Sequence, residues 1–269
     1  MRSYILSLPP VLQPIVIVAS TVIAAFAVAL LTQVVVNGPR LELDLGLTSA
    51  VYGTLGTIYA VLIAFVVSGV WQSFSSAETS VSSEANALTD LIFIIGQLPP
   101  ERSGKTRELA RAYVQSVVER WGALVLATRS HTPVKEITLD TSFALIRSIM
   151  DIKPLDGRES TLYAQALNLA ALWLDARRDR LRSAQGNTAR ALWGLLIAGA
   201  FVLFAFHGMF VTHVWVVWAG LLLGFSLIVG LAFYLIFSLD SPFSGTLCAG
   251  PEPFLWLLKS LDRSDAYRI

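Results

Sequence analysis

Catalysis needs particular residue types within reach of one another, and this chain supplies few of them. A covalent nucleophile requires Ser or Cys beside a His and a carboxylate. The chain has three histidines, His131, His207 and His213, and one cysteine, Cys248. His207 and His213 fall in a short segment between two apolar runs, where no acid accompanies them. Their spacing is not that of ligands on one helical face, and nothing resembles His-Glu-x-x-His. Gly53-Thr54-Leu55-Gly56 lacks the Gly-Lys-Ser/Thr that completes a phosphate loop. No catalytic residue, metal site or cofactor is expected, and the chain is not read as an enzyme.

The remaining candidates lie between Ser49 and Ser75. Gly56, Ala60, Ala64, Ser68 and Gln72 recur at steps of four, extended backwards by Gly53 and Ser49, so one helical face is small and weakly polar. Such a face either packs closely against another helix or lines an aqueous path. On the second reading the lining and constriction candidates are Ile58, Tyr59, Leu62, Ile63, Phe65 and Val66, whose bulk narrows the path into a dewetting gate, with Ser68 and Gln72 supplying polar groups. Glu78 and Glu84 follow as candidates for its mouth, where rings of carboxylates favour cations. Six residues apart, they do not stack on one face. Both readings stay open here.

Membrane helices must hold these residues. Of 269 residues 14% are charged and 55% hydrophobic, against roughly a quarter charged in a soluble domain. The net charge of +1 implies no nucleic-acid partner. Charge-free runs extend from Ser3 to Pro39, Leu45 to Ala77 and Ala191 to Leu239. A span needs about 20 apolar residues. The first run is read as a retained anchor rather than a cleaved signal, because its apolar part exceeds the 7–15 residues of a signal core. The last run would be about 74 Å of helix and must fold back, with the break at His207-Gly208 to His213. Spans are expected at about 15–36, 50–70, 191–206 and 214–238, with Trp193, Trp215 and Trp218 near span ends. The organisation is an N-terminal membrane hairpin over 1–75, a helical domain over 76–187, a second hairpin over 188–239 and a tail over 240–269.

Residues 76–189 hold 14 Lys and Arg, whereas the segment 37–48 has only Arg40 and 206–214 has none. The positive-inside rule therefore places both termini and the central domain in the cytoplasm. With 13 acids against its 14 bases, that domain reads as a solvated helical surface. The second span is expected to continue as a stalk until Gly96-Gln97-Leu98-Pro99-Pro100. Further helices are expected over 102–128, 138–152 and 158–185, with no strand. The cluster Arg177-Arg178-Asp179-Arg180-Leu181-Arg182 precedes the third span and is read as a topology signal touching lipid headgroups. Asp240-Ser241-Pro242-Phe243-Ser244-Gly245 is read as a tight membrane-exit turn.

Several of these residues carry a likeness. Gly56-Thr57-Ile58-Tyr59-Ala60-Val61-Leu62-Ile63-Ala64-Phe65, then Trp71-Gln72-Ser73-Phe74, Glu84-Ala85, Tyr113 to Glu119 with Trp121, and Leu239 to Gly245 with Asp240, Pro242 and Phe243 resemble the bestrophin-like domain family of bacterial membrane proteins. The resemblance implies kinship with bestrophins, which are pentameric, mainly anion-conducting channels with four membrane helices, cytosolic termini and a pore lined by the second helix. No acidic cluster follows the fourth span, so their calcium clasp is not carried over. The expectation is an all-α, four-span protein of bestrophin-like topology in the bacterial inner membrane. It would be a homo-oligomer, pentameric by resemblance, with the lipid bilayer and small inorganic ions as its partners. The alternative is a non-conducting scaffold or sensor whose cytoplasmic helices bind another protein.

Overall fold

The computed structural model describes residues 5, 8–9, 11–36, 45–130, 139–184, 190–210, 214–244 and 247–266. Arg40, His131, His213 and Gly245 of the sequence reading lie outside them. The described residues form helices and no strand: α1 Leu12–Val36, α2 Leu45–Ile95, α3 Pro100–Glu119, α4 Trp121–Ser130, α5 Leu139–Met150, α6 Gly157–Ser183, α7 Arg190–Met209, α8 Trp215–Leu239 and α9 Glu252–Ala266. They fall into two compact units, Met1–Ser73 with Asn187–Asp240 and Phe74–Gly186 with Ser241–Ile269. The long helix α2 contributes its first part to one unit and its second part to the other.

In the first unit α1, α2, α7 and α8 are long and apolar enough to cross a membrane. Lipid offers no hydrophobic drive for helix association, so such helices pack through small residues that let backbones approach. The seam is on α1, where Gln13, Ile17, Thr21, Ala25 and Ala29 are buried at steps of four. On α7, a Cβ at Gly208 would lie 2.3 Å from the backbone oxygen of Ala29. On α8, a Cβ at Gly230 would lie 3.1 Å from Val18 Cα. Trp218, in the first turn of α8, is buried: its ring N–H donates to the His207 carbonyl at 3.3 Å, and the His207 ring lies 3.3 Å from the Trp218 carbonyl.

The second unit has an apolar core drawn from most of its helices, including Leu88 and Leu91 of α2, Tyr113 and Val114 of α3, Trp121 of α4, Leu145 of α5 and Trp173 of α6. Helix α3 opens on Pro100, whose missing N–H costs nothing in a first turn. The single helix expected over 102–128 is two, because Arg120 adopts φ −95° and ψ 8°, the tightened geometry of a helix end, with low-propensity Gly122 two residues on. Asp156 caps α6 by accepting the Glu159 N–H, while the Glu159 carboxylate accepts the Leu155 N–H, close to a capping box. The segment after 240 holds a helix: α9 buries Phe254, Leu257 and Leu261, at steps of three and four, in this core.

Gly208→Ala forces a methyl into the α1 backbone and is expected to destabilise by about 1–3 kcal/mol, the usual range for overpacking. The readout is a lower unfolding midpoint in detergent. Gly220→Ala, where nothing lies within 4 Å, serves as the matched change and should lose nothing.

Candidate functional site

The second helix is the least enclosed of the four. Only 11% of its most apolar window is buried, against 33% for α7 and for α8. Its inward face in the first unit carries Tyr59, Val66 and Val70. The Tyr59 hydroxyl donates to the Leu196 carbonyl at 2.9 Å, and its ring occupies the space beside Gly199, where a Cβ would meet it at 2.6 Å. Leu62 and Ile63 are half-buried on the flanks. Two of the expected lining residues, Tyr59 and Val66, therefore serve packing within the protomer. Ile58 and Phe65 are 61% and 74% exposed, and Ser68 and Gln72 are exposed with them.

The exposed set is ordered. Thr54, Ile58, Val61, Phe65, Ser68 and Gln72 follow one another at alternating steps of four and three, and all six are exposed. That spacing is a single nearly straight stripe on a helix. The small-residue series beside it is also open: nothing lies within 4 Å of a Cβ on Gly53 or Gly56, and Ala60 and Ala64 are exposed. Within the protomer, close helix packing runs along α1 and not along this series.

Polar groups on α2 divide by whether the helix itself satisfies them. Thr54, Thr57 and Ser73 donate their hydroxyls to the carbonyls of Ala50, Gly53 and Gly69 one turn back. Ser68 and Gln72 have no side-chain hydrogen-bond partner among the described residues. Hydrocarbon would leave these groups unsatisfied, at a cost of several kcal/mol for a group with no partner at all. The Ser68 and Gln72 positions thus call for water or another polar surface.

In the second unit Glu84 is not at a mouth. It is 0% exposed, and its carboxylate accepts Arg180 Nε at 2.6 Å and Arg180 Nη2 at 3.3 Å. The Tyr113 hydroxyl donates to the same carboxylate. The Arg180 guanidinium lies 5.7 Å from the ring centres of both Trp121 and Phe254, within cation–π range. Burial works against the Arg180 cation, but the Glu84 carboxylate outweighs it and holds the guanidinium above its ordinary pKa. Burial, reinforced by Glu84, likewise pushes the Tyr113 hydroxyl up, so it stays a donor at neutral pH. Glu78, by contrast, is exposed.

The arginine cluster before the third span is largely occupied with protein. Arg177 and Arg180 are each 4% exposed, Arg178 pairs with Asp175, and Arg182 pairs with Asp179 at 3.1 Å. Headgroup contact is not available to the two buried arginines. At the exit turn Asp240 ends α8, its N–H donating to the Ile236 carbonyl at 3.0 Å. Pro242 accepts the Ala249 N–H at 2.7 Å, and Phe243 packs its ring edge to face with Trp121, 5.7 Å between centres.

Sequence reasoning missed Arg180 as the partner of Glu84 because it read the arginines together as a topology signal touching lipid headgroups. The available signal was periodicity. Ala166, Ala170, Trp173, Arg177 and Arg180 follow at steps of three and four, so two of the arginines continue the buried face of α6.

The bestrophin-like domain family matches residues 18–254 of the chain. Among solved structures, the fold is similar to that of a bacterial bestrophin homologue from Klebsiella pneumoniae, crystallised as several point variants. One shows 15% identity and a TM-score of 0.65, with 93% of this chain and 96% of that one covered. Another shows 17% identity and a TM-score of 0.61, covering 94% and 96%. A crystal structure described as a membrane protein gives 14% identity and a TM-score of 0.63, covering 93% and 96%. At these identities the likeness is one of fold. No curated protein sequence matches.

Glu84→Ala strands the Arg180 cation in the core and is expected to cost about 3–5 kcal/mol, as removal of one partner of a buried pair does. The double change Glu84→Leu with Arg180→Met removes both charges and should unfold at a higher midpoint than the single variant. A single variant no worse than the double would show that the pair is not buried as described.

Proposed function

This chain belongs to the bestrophin-like family, and from that premise we propose that it is an oligomeric channel passing small ions passively along a path lined by α2. The observation that carries this reading is the exposed stripe Thr54, Ile58, Val61, Phe65, Ser68 and Gln72. Tyr59, Val66 and Val70 already pack within the subunit, and the opposite, open face of α2 is the one that carries Ser68 and Gln72 without a hydrogen-bond partner among the described residues. Several copies of α2 around an axis would give those groups water. Kinship with bestrophins supports a pentamer and, taken alone, anions.

On this reading Ile58, Val61 and Phe65 form the constriction. Rings of such side chains exclude water unless the path widens, and so gate by dewetting. Tyr59, Leu62, Ile63 and Val66 support them from behind. No Lys, Arg, Asp or Glu occurs between Leu45 and Ala77, so the conduction is passive and needs no buried proton relay. The count of Lys and Arg supports a cytoplasmic placement for the second unit and both termini, with the bacterial inner membrane as the host.

Purified protein in liposomes should release ions above the rate of empty vesicles, and Phe65→Ala should raise that flux several-fold by shortening the dry segment. Cysteines placed singly from Thr54 to Gln72, in a Cys248→Ser background, should react with a membrane-impermeant thiol reagent at the stripe positions and not at Tyr59 or Val66. Absence of flux across varied salts and potentials, from an assembly shown to be oligomeric, overturns the proposal.

A further inference from the structure

The step that orders the membrane stripe of α2 continues beyond Gln72. Ser76, Thr79, Ser83, Asn86, Asp90 and Phe93 follow at alternating steps of four and three, and all six are exposed. Hydroxyls and one amide occupy the first four places. Asp90 is the one ionisable group in the whole series from Thr54 to Phe93. The other two carboxylates of α2 are placed differently. Glu84 is held by Arg180 and Tyr113 inside the core. Glu78 is exposed but stands twelve residues before Asp90, which at about 100° per residue turns it about 120° off the line of Asp90. Among the described residues no Lys or Arg pairs with Asp90.

From this sorting of charge we infer that Asp90 is the charge-selecting residue of the channel, and that it favours small cations over anions. The inference rests on the pore reading above and extends it to the sign of the permeant ion. Copies of α2 around an axis bring the Asp90 carboxylates to a common level on the path. Among the described residues no Lys or Arg pairs with them, and the neighbouring hydroxyls and amide of the stripe carry no charge of their own. A single carboxylate about 8 Å from a passing ion in water enriches cations about twofold, and a ring of them compounds that factor. The effect belongs to exposed charges and therefore fades within a Debye length as salt rises.

The test is the reversal potential of the full-length protein in planar bilayers under a salt gradient of potassium chloride. The parent should prefer potassium. Asp90→Asn should reduce the ratio of potassium to chloride permeability several-fold at low salt, with the difference shrinking at high salt, and Asp90→Lys should carry it further toward chloride. Because Asp90 is exposed in the protomer, both variants should assemble as the parent does, which size-exclusion chromatography checks. If the parent conducts and responds to Phe65→Ala while both Asp90 variants keep the parental reversal potential, this inference fails and the pore reading stands. If the parent passes no current, both fall together.

Discussion

A carboxylate taken out of water must find a cation, and Glu84 finds Arg180. Removing two charges from water costs several kcal/mol each, which mutual attraction offsets only where the geometry is good and the remaining oxygens are satisfied. Here the Tyr113 hydroxyl completes the carboxylate, and two aromatic rings lie against the guanidinium. Because Glu84 sits on α2, the pair also sets the rotation of that helix about its own axis. Leu88 and Leu91 share its inward face. Asp90, six residues on, is turned about 120° away from it.

Several residues on which the resemblance was read meet around this pair. Glu84, Tyr113, Trp121 and Phe243 come from distant parts of the chain and from both ends of the resemblance, and all four are buried in or against one core. Tyr113 meets Trp173 ring edge to face, 4.8 Å between centres, and Trp121 meets Phe243 and Phe254. These residues pack around the second half of α2 inside the core of the second unit. The residues on which the resemblance was read are thus packing residues of a core, and membership of the family does not name a permeant species.

In the membrane unit two small-residue series do different things. The series on α1 lets the backbones of α7 and α8 approach it, with Gly208 and Gly230 at the crossings. The series on α2 is left open: nothing described lies within 4 Å of a Cβ on Gly53 or Gly56, and Ala60 and Ala64 are exposed. Composition alone does not separate the two, since Gly and Ala serve equally for close packing and for leaving room. The difference comes from what lies opposite. Gly208 faces the Ala29 backbone, whereas Gly53 and Gly56 face open space.

Reading the chain by itself settled the all-helical class, the four candidate spans and the likeness to a family, because charge gaps and periods of three and four depend only on the order of residues. Even the unexpected α9 was legible in that way, through the steps joining Phe254, Leu257 and Leu261. Which face of α2 turns inward was not legible. Tyr59 and Val66 alternate with Ile58 and Phe65 at spacings that suit either side, and hydropathy does not distinguish a neighbour from lipid or water. Nor was the fate of Glu84, since its partner lies 96 residues away. Tertiary structure decided both, because the direction of a side chain on a helix is fixed by the helix's rotation, and rotation is set by contacts between segments that sequence order does not reveal.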